Sequence, residues 1–303
     1  MRLAFMVPPG YGPGLRYARC LTAALRSAGH EVSLDGEHVL EGSVPIVDGA
    51  LLPGRVPPTA FVLLHRLPGD WDPAAFRGLI ATSSAVVKQL DQMGQHADLV
   101  TPGINDLPRA AGSGGPGCAI LSVGAITARK GHDALLRALA RLADLDWTLT
   151  IAGSTAEAPV HPPTLMALAE DLGIGQRVRL VPDPDDAALD ALWHGSDLFA
   201  LASSWEGYPA SLAEALRRGI PAAVSDEAAA ALPPLGEASW GISVPASDVE
   251  GLSKAMRRLV YDRALRRDLA DGAWLAGQAL PGWDEQARRF AEVIEKAGGR
   301  AGP

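Results

Sequence analysis

The feature that most restricts how this chain can fold is a repeated alternation of short, wholly apolar runs with stretches that carry apolar residues at helical spacing. LAFMV, residues 3–7, has no polar position, as a strand buried on both faces requires, and after the turn-rich PPGYGPG come Leu15, Ala18, Leu21, Leu25 and Ala28 along one helical face. Gly29 stands where a helix C-terminal glycine belongs and HEVSLDG resumes as a strand, so the opening of the chain has a βαβ rhythm. VPIVDGA, AFVLLH and GLIATS supply further strands. The aperiodic RAAGSGGPG, residues 109–117, predicts a flexible connector, and beyond it the rhythm restarts with AILSVG as a strand, HDALLRALARL as a helix and WTLTIAGS as a strand. A helix at 162–172, the strand VRLVP, a helix at 186–194, the strand DLFALAS, a helix beginning near Ser211 and the strand PAAV follow, and GWDEQARRFAEVIEKA is one more helix. Such alternation predicts two α/β units, each a parallel sheet with helices on both faces.

At 303 residues and 48% hydrophobic content the chain exceeds what one core usually serves, which again points to two domains. A net charge of -8, from 27 basic and 35 acidic residues, argues against a broad grip on a nucleic-acid backbone. Cys20 and Cys118 match no metal-ligand spacing and are too few for a disulfide framework, so both are expected reduced and buried. MRLAFMVPPG holds too short an apolar run for a signal peptide, and no later run reaches about 18 apolar residues. A cytoplasmic protein without stable membrane insertion is the expectation.

In a parallel sheet, ligands bind beyond the carboxyl ends of the strands, so PPGYGPG, GAITARKG, GSTAEA and SSWEGYPAS are the candidates for chemistry. Arg129 and Lys130 lie together before Gly131 at a helix entry. A cationic pair beside helix amides suits a diphosphate, and the same residues also describe a solvated loop with two surface charges. PPGYGPG, which holds Gly12 and Gly14, lacks both GxGxxG and GxxxxGK[ST]; its glycines either make turns or let backbone approach a ligand. His65 ends AFVLLH, at a strand's carboxyl edge, as a structural group or a catalytic one, and no histidine at metal-ligand spacing accompanies it, so no catalytic metal is expected. In SSWEGYPASLAEALRR, Ser211 followed by Glu214 reads as a capping box, which leaves Glu206, beside Gly207 and Tyr208, without a structural account. Carboxylates accept hydrogen bonds from hydroxyls, so Glu206 and Glu214 could hold two polyol portions of one ligand with phosphate between them.

SVGAITARKGHDALLRAL, GSDLFALASSWEGYPASLAEALRRGIPAAVSD and VPASDVEGLSKAMRRLVYD resemble the C-terminal domain of glycosyltransferase family 4, in its KGHD-containing branch. In the first half LRYARCLTAALRSAGHEV, ATSSAVVKQL and TPGIN resemble the family's first helix and second strand, its serine-containing helix entry and its interdomain element. The resemblance covers nearly the whole chain, and its specific part is the pair Glu206 and Glu214 with seven residues between, followed by RRGIP. It implies a GT-B fold, two Rossmann-like doubly wound parallel-sheet domains facing across a cleft. Residues 1–109 would form an acceptor domain, 110–117 a linker, 118–281 a nucleotide-sugar donor domain, and 282–298 a helix crossing back.

The same resemblance implies a retaining, metal-independent hexosyltransferase that moves a sugar from a nucleotide-diphosphate sugar, a UDP- or GDP-hexose, to a small-molecule acceptor, without further cofactor. Glu206 would contact the donor sugar, Glu214 the ribose hydroxyls and Lys130 the diphosphate, with His65 near the reacting carbon. Gly124, Gly153, Gly207, Tyr208, Gly12 and Gly14 complete the expected donor-binding set. Ala125 stands where the family carries an arginine, for which Arg129 would substitute, and SDEAAAALPPLGE replaces a glycine-rich loop. The alternatives are a GT-B sugar-nucleotide epimerase and a degenerate member that binds nucleotide sugar or a protein partner without turnover. The oligomeric state is not legible.

Overall fold

The computed structural model describes residues 1–8, 13–34, 41–52, 54 and 56–299, and the chain divides into two units. Unit 1 comprises Met1–Asn105 with Pro281–Pro303, and unit 2 comprises Asp106–Leu280.

In unit 1 the elements are β1 (Arg2–Met6), α1 (Pro13–Ser27), β2 (Glu31–Leu34), β3 (Val44–Asp48), β4 (Phe61–Leu64), β5 (Gly78–Ala81), α2 (Ser84–Gln92) and β6 (Asp98–Leu99). Every pairing in the sheet is parallel and its order is β2-β1-β3-β4-β5-β6. The apolar runs are central strands: all four residues of β4 are buried, which explains their lack of alternation.

Unit 2 holds β7 (Cys118–Val123), α3 (His132–Ala140), β8 (Trp147–Gly153), α4 (His161–Asp171), β9 (Val178–Pro182), α5 (Asp186–His194) and β10 (Leu198–Leu201). It continues with α6 (Ala210–Arg217), β11 (Ala222–Ser225), α7 (Asp226–Ala230), β12 (Gly241–Val244), α8 (Val249–Tyr261) and α9 (Arg263–Gln278). Its sheet is parallel throughout in the order β12-β11-β10-β7-β8-β9. The stripe Leu135, Leu136 and Leu139 of α3 is buried with Trp147 and Leu149 of β8 and with Leu252, Met256 and Leu259 of α8. Each such leucine is worth about 2 kcal/mol by transfer from water.

The last helix, α10 (Trp283–Gly299), belongs to unit 1. Ala287, Phe290 and Ile294 enter the same core as Leu21 and Leu25 of α1, and the Phe290 ring stacks on Phe5 at 5.6 Å.

Helix α9 is absent from the reading by periodicity because its buried face is made largely of Ala273, Ala276 and Gly277, too small to show as an apolar stripe. A side chain on Gly277 would overlap the Leu216 carbonyl, so small residues are what let α9 lie against α6.

The stretch expected as a connector is tied along unit 2. The Ala110 amide donates to the Arg218 carbonyl at 2.9 Å, the Ala111 and Gly112 amides to the His194 carbonyl at 3.1 Å, and Ser113 Oγ to Asp197 at 2.6 Å. Its small residues, which looked flexible in isolation, allow this close run across helix ends. Both cysteines are free; Cys118 is buried, its thiol pushed up to about 12 by burial, whereas Cys20 is only partly buried, contrary to expectation. Among the described residues no helix is long and apolar enough to cross a membrane.

Candidate functional site

In the unit 2 sheet, β7 lies beside β10, and successive strands run outward from this pair in opposite directions. Helices then leave the two neighbouring strand ends toward opposite faces, which opens a crevice at the carboxyl edge. The turn after β7 carries Arg129 and Lys130, and the loop after β10 carries Glu206, Gly207 and Tyr208.

These two loops interlock. The Ser204 amide donates to the Arg129 carbonyl at 3.0 Å, and Arg129 Nη1 donates to the Trp205 carbonyl at 2.8 Å with its guanidinium 5.7 Å from the indole centroid. Gly131 has φ +67, and a side chain there would overlap the Ala202 carbonyl; only glycine permits this approach. Within that frame Lys130 Nζ donates to Glu206 Oε1 at 2.5 Å and Ser203 Oγ donates to the same oxygen at 2.6 Å, while Arg129 Nη1 lies 3.9 Å from Oε2. The Glu206 and Lys130 side chains are 5% and 11% exposed. Burying such a pair is tolerated because each charge compensates the other and Ser203 satisfies a further lone pair.

Gly124 follows β7, and Gly153 ends the neighbouring strand β8. A side chain on Gly153 would overlap the Gly124 carbonyl, and one on Gly124 would press on the Lys130 Cε at 3.2 Å. The bare Gly124 backbone is thus the floor on which the lysine stem lies. Tyr208 raises its hydroxyl into protein: the oxygen is buried without a hydrogen-bond partner among the described residues, and burial pushes its pKa up.

The capping box does not form. Helix α6 starts at Ala210 after Pro209, with no side-chain cap, so Ser211 already lies inside the first turn. Proline, which needs no amide partner, has displaced the serine from the start. Glu214 Oε1 instead accepts from Arg218 Nη2 at 3.2 Å, one turn on.

His65 and Gly14 belong to unit 1, where β1 beside β3 is the corresponding reversal in strand order. Asp48 ends β3, His65 follows β4 and Thr82 follows β5, so all three stand at carboxyl ends of adjacent strands. His65 Nδ1 is 3.1 Å from Thr82 Oγ1, His65 Nε2 is 3.6 Å from Asp48 Oδ2, and Tyr17 meets the imidazole edge-on at 5.2 Å. Burial lowers the His65 pKa, opposed by the Asp48 charge. A side chain on Gly14 would overlap the Asp48 carboxylate, so Gly14 serves this buried acid directly. Gly12 lies outside the described residues.

Sequence reasoning missed Asp48, Thr82, Ser203 and Arg218. Asp48 was within reach, since it closes the apolar run VPIVD as His65 closes AFVLLH. Arg218 was within reach as well, four residues after Glu214 at helical pair spacing, whereas Ser203 carries no such signal because its bond to Glu206 is set by loop geometry.

Next to Lys130, His132 opens α3 at 1% exposure with neither ring nitrogen hydrogen-bonded among the described residues. Burial first, then the charges of Lys130 and His161, depress its pKa from 6.5 to about 3. Between these values the unfolded chain binds a proton that the folded chain does not, so acid favours unfolding. The contribution to stability is complete above 6.5 and is lost as pH falls toward 3. Denaturant unfolding is expected to show about 2 kcal/mol lost from this residue between pH 7 and pH 5, with His65 adding in the same direction. His132→Leu should flatten the curve by about 1 kcal/mol per pH unit over this range; an unchanged slope would remove His132 as its source.

Residues 108–274 match the family described as Glycosyl transferases group 1. The chain is 30% identical to D-inositol 3-phosphate glycosyltransferase 1 of Catenulispora acidiphila, over 96% of this chain and 71% of that one. It is 28% identical to the D-inositol 3-phosphate glycosyltransferase of Salinispora arenicola, but over 62% of this chain and only 43% of that protein, so it matches less than half of this second relative. Among solved structures, sucrose-phosphate synthase from Thermosynechococcus elongatus superposes with a TM-score of 0.79 at 16% identity, covering 99% of this chain and 100% of that one. Anabaena HepE in complex with UDP-glucose gives 0.77 at 15% identity, covering 98% and 100%. The fold is of the GT-B class. The chain belongs to the glycosyl transferases group 1 family.

Proposed function

We propose that this protein is a retaining, metal-independent hexosyltransferase that moves a sugar from a nucleotide-diphosphate sugar, a UDP- or GDP-hexose, to a small polyhydroxylated acceptor. The observation that carries the reading is the buried Lys130–Glu206 pair at the strand-order reversal of unit 2. It brings a fixed cation and a fixed hydroxyl acceptor to one point, which a sugar diphosphate requires. HepE, a structural neighbour, is described in complex with UDP-glucose, and the relatives named above act on D-inositol 3-phosphate, so a cyclitol or its phosphate is the first acceptor class to try.

In this mechanism the anomeric carbon–oxygen bond lengthens and negative charge grows on the departing diphosphate. Lys130 and Arg129 stabilise that charge; one such contact is commonly worth about 3 kcal/mol, roughly a hundredfold in rate. Glu206 takes the donor sugar hydroxyls and Glu214 the ribose hydroxyls, both as positioning groups. The acceptor hydroxyl attacks on the face the diphosphate leaves and passes its proton to an oxygen of the departing diphosphate, so the anomeric configuration is kept without a protein nucleophile. His65 is assigned to the reacting sugar.

The test is calorimetric titration of UDP, GDP, ADP, dTDP and their glucose or mannose conjugates into wild type, Glu214→Ala and Lys130→Ala. One nucleotide should bind selectively, and each substitution should weaken it about tenfold or more. Folded protein that binds none of them overturns the proposal. NMR of the transfer product then reads the anomeric configuration.

A further inference from the structure

Arg218 closes α6 with a side chain only 3% exposed, and its Nη2 donates both to Glu214 Oε1 at 3.2 Å and to Asp190 Oδ1 of α5 at 2.6 Å. Glu214 is 16% exposed and Asp190 60%, so one buried cation lies between a recessed acid and a surface acid. Two other nitrogens of the guanidinium, Nε and Nη1, are buried without a hydrogen-bond partner among the described residues. A side chain needed only to fill this space would do better as a hydrocarbon, which leaves no donor orphaned. The arginine is therefore best explained by what its one bonded nitrogen holds. Its own backbone is fixed too: the Arg218 amide donates to the Glu214 carbonyl at 3.0 Å, and its carbonyl accepts from Ala110 at 2.9 Å.

We infer that Arg218 is a positioning residue for nucleoside recognition: it locks the Glu214 carboxylate in the orientation that accepts a vicinal diol, with Asp190 steadying the arginine from the other side. The inference rests on the assignment of Glu214 to the donor ribose. An ionised carboxylate has about four acceptor positions, so a bond to arginine is compatible with service to a ribose diol. A carboxylate free to rotate would lose conformational entropy on each binding event, whereas a held one has lost it already. Asp190 keeps the guanidinium from being pulled wholly onto Glu214, so the glutamate retains its strength as an acceptor. Arg218 itself need not touch the nucleotide.

The experiment compares UDP with 2′,3′-dideoxy-UDP, and GDP with its dideoxy counterpart, by calorimetry on wild type, Arg218→Met and Arg218→Lys, with folding checked by circular dichroism. Wild type is expected to prefer the ribose form of its nucleotide about tenfold. In Arg218→Met the preference should shrink to about twofold while affinity for the dideoxy form stays unchanged, and Arg218→Lys should fall between. A purely structural arginine would lower both affinities together. A full preference retained in folded Arg218→Met or Arg218→Lys overturns the inference and leaves the ribose assignment standing. Wild type that binds both forms equally overturns the ribose assignment itself, and the inference with it. If the methionine variant does not fold, the lysine variant, which keeps the buried charge, decides.

Discussion

Lys130→Met is expected to lower sugar transfer on the order of a hundredfold and to destabilise unit 2 by about 3 kcal/mol. On the proposed mechanism the rate falls because the departing diphosphate loses one of the two cations assigned to it. The stability falls for a separate reason: Glu206, with its side chain 5% exposed, keeps Ser203 but loses its close counter-charge, and Arg129 is 3.9 Å away from the other oxygen. Removing one member of a buried pair leaves the other charge uncompensated, which is more harmful than removing both. The double variant Lys130→Met with Glu206→Gln should therefore recover most of the lost stability and none of the activity. Urea unfolding of the three proteins, with initial rates from the donor selected by titration, measures both effects. Equal stability of the single and double variants would show that the two side chains do not depend on each other.

Glu206→Gln should separate affinity from turnover. Glutamine can still accept from Ser203, but Lys130 then has no carboxylate at 2.5 Å and must find its counter-charge elsewhere. A nucleoside diphosphate supplies that charge. Binding of the free diphosphate is expected to tighten about tenfold, because it no longer competes with Glu206. On the proposed assignment transfer is expected to fall about a hundredfold, because the sugar hydroxyls would lose a charged acceptor in the transition state. Calorimetry and initial rates on the same preparation show whether the two quantities move in opposite directions. Loss of both together would mean that Glu206 serves only to hold Lys130 in place.

Much of the candidate site is legible in the sequence alone. Strand-end logic pointed to Arg129, Lys130, Glu206 and His65, since each follows an apolar run and precedes a helix or turn. It did not show that Lys130 and Glu206, 76 positions apart, share a hydrogen bond. That contact depends on β7 lying beside β10, an order local periodicity does not encode. Ser211 and Glu214 had the spacing of a capping box, but Pro209 started the helix instead and Arg218 took the glutamate. A spacing rule could not choose between them, because the cap and the i,i+4 pair with Arg218 are both local bonds that compete for the same carboxylate.

The sequence by itself determined the element types and the chemistry available at strand ends: apolar runs that must be buried on both faces, amphipathic helices between them, and charged or glycine-rich loops where a parallel sheet opens to ligands. Tertiary structure alone decided which of those groups meet. Asp48 reaches His65, Lys130 reaches Glu206, and Arg218 reaches Asp190 because strand order and helix packing place their backbones close together. The physical reason is range. Burial and helix periodicity act over a few neighbouring residues and can be read in order, whereas a charge selects its partner by distance through space.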